Sequence, residues 1–177
     1  MAEKTDTEHG HHRNEPRFCP RCASPLVEAD VEGKRRLRCS SCDYVHFRDP
    51  KVAVGVVTGV NGKVLLARRG HPPRQGLWTI PSGYVDAGEV VEEAAIREVM
   101  EEVNVQVTID RLVEVRSQDG NPVIFIVFEG TIVAGEPSPG PEATAVGLFS
   151  EGDLPELAFE HDGEIIRNWL KGSISAD

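Results

Sequence analysis

Residues 83–105 read GYVDAGEVVEEAAIREVMEEVNV, and seven of these 23 residues are carboxylates. The spacing in this stretch predicts a helix whose apolar arc faces a core and is formed by Ala95, Ile96, Val99 and Val103. Because each helical residue turns by about 100°, Glu98, Glu101 and Glu102 share the neighbouring arc. The helix therefore carries these carboxylates beside its buried edge, where solvent screens them poorly.

Local stability does not favour this carboxylate cluster. Like charges three or four residues apart destabilise a helix by a few tenths of a kcal/mol per pair. Carboxylates near the C-terminal end also oppose the helix dipole. Two interpretations stay open on spacing alone: an exposed acidic face, or a platform for a divalent cation, since hard oxygen ligands at this spacing converge on Mg²⁺ or Mn²⁺.

The surrounding chain alternates strand and helix signals from Pro50 onward. Two Val/Leu-rich runs flank Asn61-Gly62, which predicts a hairpin with a type I′ turn. Further strands are predicted at residues 105–107, 112–115, 123–133 and 145–149, and a closing helix at about 160–170. Strands surrounding two helices predict an α/β sandwich with a mixed sheet.

The chain divides into three predicted parts. Residues 1–16 are polar and lack an apolar period, which is typical of a disordered tail. Residues 17–49 hold all four cysteines. Residues 50–172 form the α/β domain.

The four cysteines predict a metal site in the second part. They form the pairs Cys19–Cys22 and Cys39–Cys42, and two C-x2-C pairs at this separation match a four-thiolate zinc site. Disulfides are the alternative, which a reducing cell interior disfavours. Four thiolates leave no open coordination position, so the Zn²⁺ would be structural and would stabilise a segment too short to fold alone. The basic stretch KRRLR, residues 34–38, could contact nucleic acid, but a solvated hairpin strand is the commoner explanation.

Charge and targeting signals exclude several classes of protein. The net charge is −10, and residues 52–177 carry nine basic and twenty acidic side chains. A body this acidic repels a phosphate backbone unless a metal or a local basic patch intervenes. No apolar run approaches the ~20 residues that span a bilayer, and the N-terminus lacks a secretory signal. We expect a cytoplasmic protein with no membrane partner.

The constellation within residues 83–105 resembles the signature of the Nudix hydrolases. The matching positions are Gly83, Glu89, Arg97, Glu98, Val99, Glu101, Glu102 and Val105. The departure is Asn104, where the family has glycine, and Asn is the next best residue for a left-handed conformation. The resemblance covers residues 50–170 and implies a Nudix α/β/α sandwich. A zinc ribbon ahead of such a domain is similar to a Nudix subgroup of NADH, ADP-ribose and FAD pyrophosphatases.

This resemblance implies hydrolysis of the pyrophosphate bond in a nucleoside diphosphate linked to another moiety. Mg²⁺ or Mn²⁺ would neutralise the phosphates and activate water. The implied ligands are Glu98, Glu101, Glu102 and the backbone carbonyl of Ser82. Arg97 would pair with Glu89 or Glu98 and orient it.

The general base and the substrate contacts are less narrowly indicated. Glu98 is one candidate base, and Glu142 is another, because relatives often place a functional Glu before this strand. Aromatic residues that could stack on a nucleobase, or belong to the core instead, are Trp78, Tyr84, Phe125 and Phe159. NADH pyrophosphatases carry SQPWPFPxS after the helix, whereas residues 117–122 read SQDGNP. Pro122 instead matches the position of a proline in ADP-ribose pyrophosphatases.

Two rival functions stay open. One is an NAD-cap or RNA 5′-end decapping hydrolase, in which residues 34–38 guide the RNA. The other is a non-catalytic nucleotide-binding module, although none of the motif carboxylates is missing. We expect nucleic acid as a partner only in the form of a capped RNA end, and a homodimer by analogy with relatives.

Overall fold

A computed structural model describes residues 15–174. The chain divides into two compact units, with the boundary after Asp49. The predicted disordered tail, residues 1–16, lies almost wholly outside the described residues. Within residues 15–174, no helix combines the length and the apolar character needed to cross a membrane.

The N-terminal unit is built on a three-stranded antiparallel sheet. Strand β1 (Leu26–Val31) pairs with β2 (Lys34–Cys39), which pairs in turn with β3 (Val45–His46). Glu32 and Gly33 connect β1 to β2, and both have the positive φ angles that a two-residue hairpin turn requires. The only buried apolar side chains in the described part of this unit are Cys19 and Cys39. This sheet therefore lacks an apolar core large enough to stabilise it.

The second unit contains, within its described residues, two α-helices and eight strands. The strands are β4 (Lys51–Val57), β5 (Gly59–Val60), β6 (Lys63–Arg69), β7 (Trp78–Thr79), β8 (Ser82–Tyr84), β9 (Gln106–Arg116), β10 (Val123–Ala134) and β11 (Ala143–Phe149). The helices are α1 (Val91–Val103) and α2 (Glu160–Ile174), and a short 3-10 helix covers Glu151–Asp153.

These strands form two sheets. The first has the order β8-β4-β10-β9, and the second has the order β11-β6-β5, with β7 also paired to β6. In the first sheet, β10 is parallel to β4 and antiparallel to β9. The predicted mixed sheet is thus confirmed.

Successive side chains of the inner strands enter two different cores. On β6, Leu65 and Ala67 pack with α1, whereas Val64 and Leu66 pack with α2. This alternation follows from the two-residue period of a strand. Because helices cover both faces of the sheet layer, this unit has the α/β/α architecture that the sequence predicts.

The path of the chain around Asn61-Gly62 differs from a simple hairpin. The turn itself is present, with φ values of 53° and 71°, but the strand that pairs across it is the short β5. The longer Val-rich segment before the turn, β4, belongs to the other sheet, where it pairs with β8 and β10. A Cβ on Gly59 would lie 1.9 Å from the carbonyl oxygen of Lys63, so only glycine permits this close pairing.

Asp162 in α2 is fully buried. Neither of its carboxylate oxygens forms a hydrogen bond within the described part of the chain, and Nε2 of His161 lies 3.5 Å from Oδ1. Burial raises the pKa of Asp162 to about 7, and the neighbouring Thr79 and Arg69 offset only part of this effect. The folded protein therefore holds this proton more tightly than the unfolded chain does.

We expect Asp162 to make the protein less stable as the pH rises. A carboxyl whose pKa is raised in the folded state favours folding below its unfolded pKa, and that advantage is lost as the pH rises to about 7. Between pH 4 and pH 8, the free energy of unfolding should fall less in the variant Asp162→Asn than in the parent. The difference between the two should reach up to roughly 4 kcal/mol. Urea denaturation across this range measures the difference. Parallel pH profiles for the parent and the variant would contradict it.

Candidate active site

Two carboxylates of α1 lie within its buried face. Glu98 and Glu102 are only 9% and 5% exposed, whereas Glu101 is exposed. The sequence predicts these groups beside the apolar arc and Ile96 inside it, and this part of the prediction is wrong. Ile96 is 36% exposed, and the buried arc is shifted toward Ala94, so that it includes two of the three carboxylates.

Helix α1 ends at Asn104, which has φ 56° and ψ 32° and so lies in the left-handed region. Its side-chain amide donates hydrogen bonds of 3.2 Å to the carbonyl oxygens of Ser138 and Pro139. A glycine could adopt the same backbone conformation but could not make these contacts. Asn104 therefore ends the helix and also attaches the loop that precedes β11.

Arg97 connects the acidic groups of this region. Its Nε and Nη2 atoms donate to the two oxygens of Glu89 at 2.8 and 2.9 Å. Its Nη1 atom donates to Glu98 at 2.7 Å and to Glu101 at 3.1 Å, and Nη2 also reaches the carbonyl of Tyr84 at 3.1 Å. The guanidinium therefore orients Glu89 and Glu98 together, where the sequence left a choice between them.

Strand β8 holds the other side of the carboxylate cluster. The backbone N–H of Ser82 donates to Oε2 of Glu102 at 3.0 Å. The neighbouring Gly83 lies directly against Glu98, because a Cβ at Gly83 would be 2.1 Å from the carboxyl carbon. Gly83 thus leaves the space that the Glu98 carboxylate occupies.

We expect Gly83→Ala to displace this carboxylate. The added methyl cannot coexist with Glu98 in its present position, so the Arg97 contact must break or β8 must move. Since an error of about 1 Å in an active site can cost roughly 100-fold in rate, turnover should fall by about that factor while the domain stays folded. Gly152→Ala is the matched control, because nothing lies within 4 Å of its Cβ position and its backbone is outside the left-handed region. An unchanged rate for Gly83→Ala would contradict this packing argument.

The loop before β11 brings Glu142 toward the same cluster. The N–H of Gly140 donates to the carbonyl of Glu102 at 2.9 Å, and a Cβ at Gly140 would lie 1.7 Å from the carbonyl oxygen of Glu101. Only glycine allows this close approach of the loop to α1. The sequence did not indicate this role of Gly140, because PSPGPE predicts only a loop. Glu142 itself stays 57% exposed, with His71 Nε2 at 3.7 Å from its carboxylate.

The electrostatics of the cluster favour the binding of a cation. Burial raises the pKa of Glu98 and raises that of Glu102 to about 7, and the charge of Glu142 contributes to both shifts. In contrast, the hydrogen bonds from Arg97 lower the pKa of Glu89 to about 2. The positive charge of Arg97 therefore does not neutralise all the nearby carboxylates. Hard oxygen donors with uncompensated negative charge fit a divalent cation such as Mg²⁺ or Mn²⁺.

The aromatic candidates have different surroundings. Tyr84 is 52% exposed, with Lys51 Nζ at 4.8 Å from its ring centre. Trp78 packs edge-on against Phe149 on the side of the α2 core. Phe159 stacks on a histidine ring and has a guanidinium 5.5 Å from its centre. Phe125 is partly buried in the α2 core.

Arg69 is a candidate residue that the sequence analysis missed. Its guanidinium is the one above Phe159, and its charge lowers the pKa of both Glu102 and Asp162. Arg69 therefore lies where it can act on the carboxylate cluster and on an aromatic ring. The only sequence signal is the pair Arg68-Arg69 at the end of a strand, in a domain with few basic residues.

The four cysteines of the N-terminal unit also converge. All four are free thiols, and their sulfur atoms lie within 4.8 Å of one another. Three of the Sγ–Sγ distances are 3.4 to 3.7 Å, close to the ~3.8 Å edge of a tetrahedron with metal–sulfur bonds of ~2.3 Å. A disulfide needs about 2.05 Å. The geometry therefore fits a four-thiolate metal site of the zinc type.

Comparison with known protein sequences gives one family. The NUDIX domain model matches residues 49–169. The ADP-ribose pyrophosphatase of Methanocaldococcus jannaschii is 36% identical over 132 residues, which cover 72% of this chain and 76% of that protein. The NAD-capped RNA hydrolase NudC of Vibrio vulnificus is 28% identical over 155 residues, which cover 85% of this chain and 57% of that protein. The chain thus spans little more than half the length of this second relative.

Solved structures support the same assignment. A NUDIX hydrolase from Nitrosomonas europaea superposes with a TM-score of 0.85 at 29% identity, covering 92% of this chain and 94% of that chain. An ADP-ribose pyrophosphatase from Streptococcus suis has a TM-score of 0.60 at 27% identity, covering 72% of this chain and 95% of that chain. With the family model matching well over half of its residues, the chain belongs to the Nudix family.

Proposed function

We propose that this protein hydrolyses the pyrophosphate bond of a nucleoside diphosphate derivative, with ADP-ribose as the best substrate. The observation that carries the proposal is the pair of buried carboxylates on α1, Glu98 and Glu102, which lie in a core-facing arc without enough positive charge beside them. A structural helix gains nothing from this arrangement. A metal-dependent hydrolase requires it.

The cluster would hold Mg²⁺ or Mn²⁺ through the carboxylates of α1, with the Ser82 carbonyl as an added donor. When bound, the metal would neutralise the pyrophosphate and lower the pKa of a water molecule. Arg97 orients Glu98 through its 2.7 Å hydrogen bond. The N–H of Ser82 fixes the rotamer of Glu102. Both contacts hold the ligands in place before the substrate arrives, which is what fast catalysis needs.

We assign the general base to Glu142. Glu98 accepts a hydrogen bond from Arg97 and packs on Gly83, so it is poorly placed to move a proton. Glu142 is more exposed, and its charge acts on both Glu98 and Glu102. Glu142→Gln should therefore lower kcat with little change in the metal concentration for half-maximal rate, whereas Glu98→Gln should change both. The opposite pattern would return the role of base to Glu98.

A second activity, removal of an NAD cap from RNA, is favoured by one observation. Several relatives of this chain are NAD-capped RNA hydrolases, and the match to the Vibrio vulnificus protein covers 85% of this chain. The bond broken in an NAD cap is also a pyrophosphate linkage between two nucleosides. The same carboxylates would serve both substrates. A non-catalytic nucleotide-binding role is disfavoured, because every motif carboxylate is present and Arg97 contacts three of them.

The experiment is a hydrolysis panel in Mg²⁺ and in Mn²⁺ that covers ADP-ribose, FAD, NADH and NAD-capped RNA. We expect AMP and ribose 5-phosphate from ADP-ribose, and no product after chelation of the metal. Turnover of none of these substrates by zinc-loaded protein would contradict the proposal. Higher kcat/KM for capped RNA than for ADP-ribose would make decapping the main activity.

We propose Zn²⁺ as the metal of Cys19, Cys22, Cys39 and Cys42, on the strength of the sulfur geometry. Reduced thiolates persist in the cytoplasm, and we place the protein there. We also propose a homodimer by analogy with the family. Sedimentation equilibrium tests that last point.

A further inference from the structure

Five arginines in or near the sheet of the N-terminal unit differ in their carboxylate partners. Arg21, Arg35 and Arg48 form ion pairs with Asp43, Glu28 and Glu15. Arg36 and Arg38, in contrast, have no carboxylate partner within the described part of the chain. The Nε atom of Arg36 is buried and lacks any hydrogen-bond partner there.

The unpaired arginines share one face of the sheet. In an antiparallel pair, residues directly opposite each other lie on the same face, and neighbours along a strand alternate between faces. Three pairs therefore define one surface, which we call the arginine face: Val27 opposite Arg38, Ala29 opposite Arg36, and Val31 opposite Lys34. Val45 of β3 joins it opposite Arg38.

No acidic residue of these three strands lies on the arginine face. Glu28 and Asp30 of β1 are opposite Leu37 and Arg35, and therefore belong to the other face. The strands β1 and β2 thus separate their charges: the Glu28–Arg35 ion pair and Asp30 lie on one side, and three basic residues lie between small apolar ones on the other. A sheet strand that only needed solvation would not require this separation.

An aromatic residue completes the arginine face. The guanidinium of Arg36 lies 4.5 Å from the ring centre of Phe47, and Phe47 remains 53% exposed. Val27 on the same face is 48% exposed. The exposed ring of Phe47 offers a stacking surface for a nucleobase, and the side chains of Lys34, Arg36 and Arg38 offer positive charge for the phosphates on either side.

We propose that the arginine face binds single-stranded nucleic acid, with the backbone phosphates at Lys34, Arg36 and Arg38 and a base on Phe47. The arginine face is complementary in charge to the phosphates of a nucleic acid. Residues 52–177 are not, because they carry a strong excess of acidic side chains and would repel a polyanion. This proposal does not rest on the hydrolytic activity. It develops the nucleic-acid alternative that the sequence leaves open for residues 34–38, beside that of a solvated strand.

The test is fluorescence anisotropy of a labelled, uncapped single-stranded RNA with the full-length, zinc-loaded protein, between about 50 and 200 mM salt. We expect the logarithm of the association constant to fall linearly with the logarithm of the salt concentration. The double variant Arg36→Gln/Arg38→Gln should lower this slope by about 1.4, because each phosphate contact contributes about 0.7 for a single strand. Phe47→Leu should weaken binding by about tenfold at every salt concentration, since it removes stacking.

The matched control is Arg21→Gln/Arg35→Gln, which removes the same formal charge from residues already paired with carboxylates. It should leave the slope nearly unchanged. Absence of RNA binding by the parent, or equal losses in the two double variants, would overturn the proposal. Polyphosphate binding as tight as RNA, with no effect of Phe47→Leu, would also overturn it, because the face would then be a simple polyanion site. ADP-ribose hydrolysis, measured on the same samples, reports the proposed activity separately.

Discussion

Glu102→Gln is expected to lower turnover of the best substrate by about 100-fold or more, with the fold intact. Gln keeps the size of the side chain and can still accept the hydrogen bond from Ser82 N–H. It removes one anion from the metal ligands, and each 1.4 kcal/mol of lost transition-state stabilisation costs tenfold in rate. Without metal, the variant should be as stable as the parent or slightly more stable at pH 8, since burial raises the pKa of Glu102 to about 7.

Glu92→Gln is the control for this prediction. Glu92 is in the first turn of the same helix and is exposed. It should change neither the rate nor the metal dependence. Equal rates for Glu102→Gln and the parent, with the same dependence on Mg²⁺, would show that Glu102 is not a metal ligand.

Cys39→Ser is expected to unfold the N-terminal unit and to leave the α/β domain folded. Cys39 is 5% exposed, and the described part of this unit has almost no other buried apolar surface. Its stability must therefore come from the metal, whose binding free energy is folding free energy in such small modules. Elemental analysis should find about one zinc per chain in the parent and little in the variant, and proteolysis should cut the variant within residues 17–49.

Ser41→Ala is the matched control for the cysteine variant. The backbone N–H of Ser41 donates to Sγ of Cys39 at 3.3 Å, and alanine keeps that N–H. Zinc content and protease resistance should therefore match the parent. Parent protein that contains no zinc when purified without a chelator would contradict the assignment, as would a Cys39→Ser variant with normal protease resistance.

The sequence predicts most of the fold because its strongest signals are local. The spacing of residues 83–105 predicts α1, and the alternation of strand and helix signals predicts the sandwich. The Cys pairs predict the convergence of four thiols. In each case the signal comes from residues that are close to one another in the chain. The period of a helix or a strand then indicates on which face each side chain lies.

What the sequence could not predict depends on contacts between distant segments. Ile96 and Glu98 compete for the buried arc of α1, and spacing alone favours the isoleucine. The structure reverses this because Gly83 leaves room for a carboxylate. Gly140 and Arg69 approach α1 only through the packing of a loop and of β6. The separation of charges on the arginine face likewise requires the register of β1 against β2.

We propose that the carboxylates of α1 are a platform for divalent metal. The most direct measurement is a count of bound Mn²⁺ by electron paramagnetic resonance, in zinc-loaded parent protein and in the variant Glu98→Gln/Glu102→Gln. We predict that the parent removes Mn²⁺ from the free signal in a saturable manner, and that Mg²⁺ competes for the same sites. The double variant should leave that signal nearly unchanged. Equal Mn²⁺ binding by the parent and the double variant would contradict the claim.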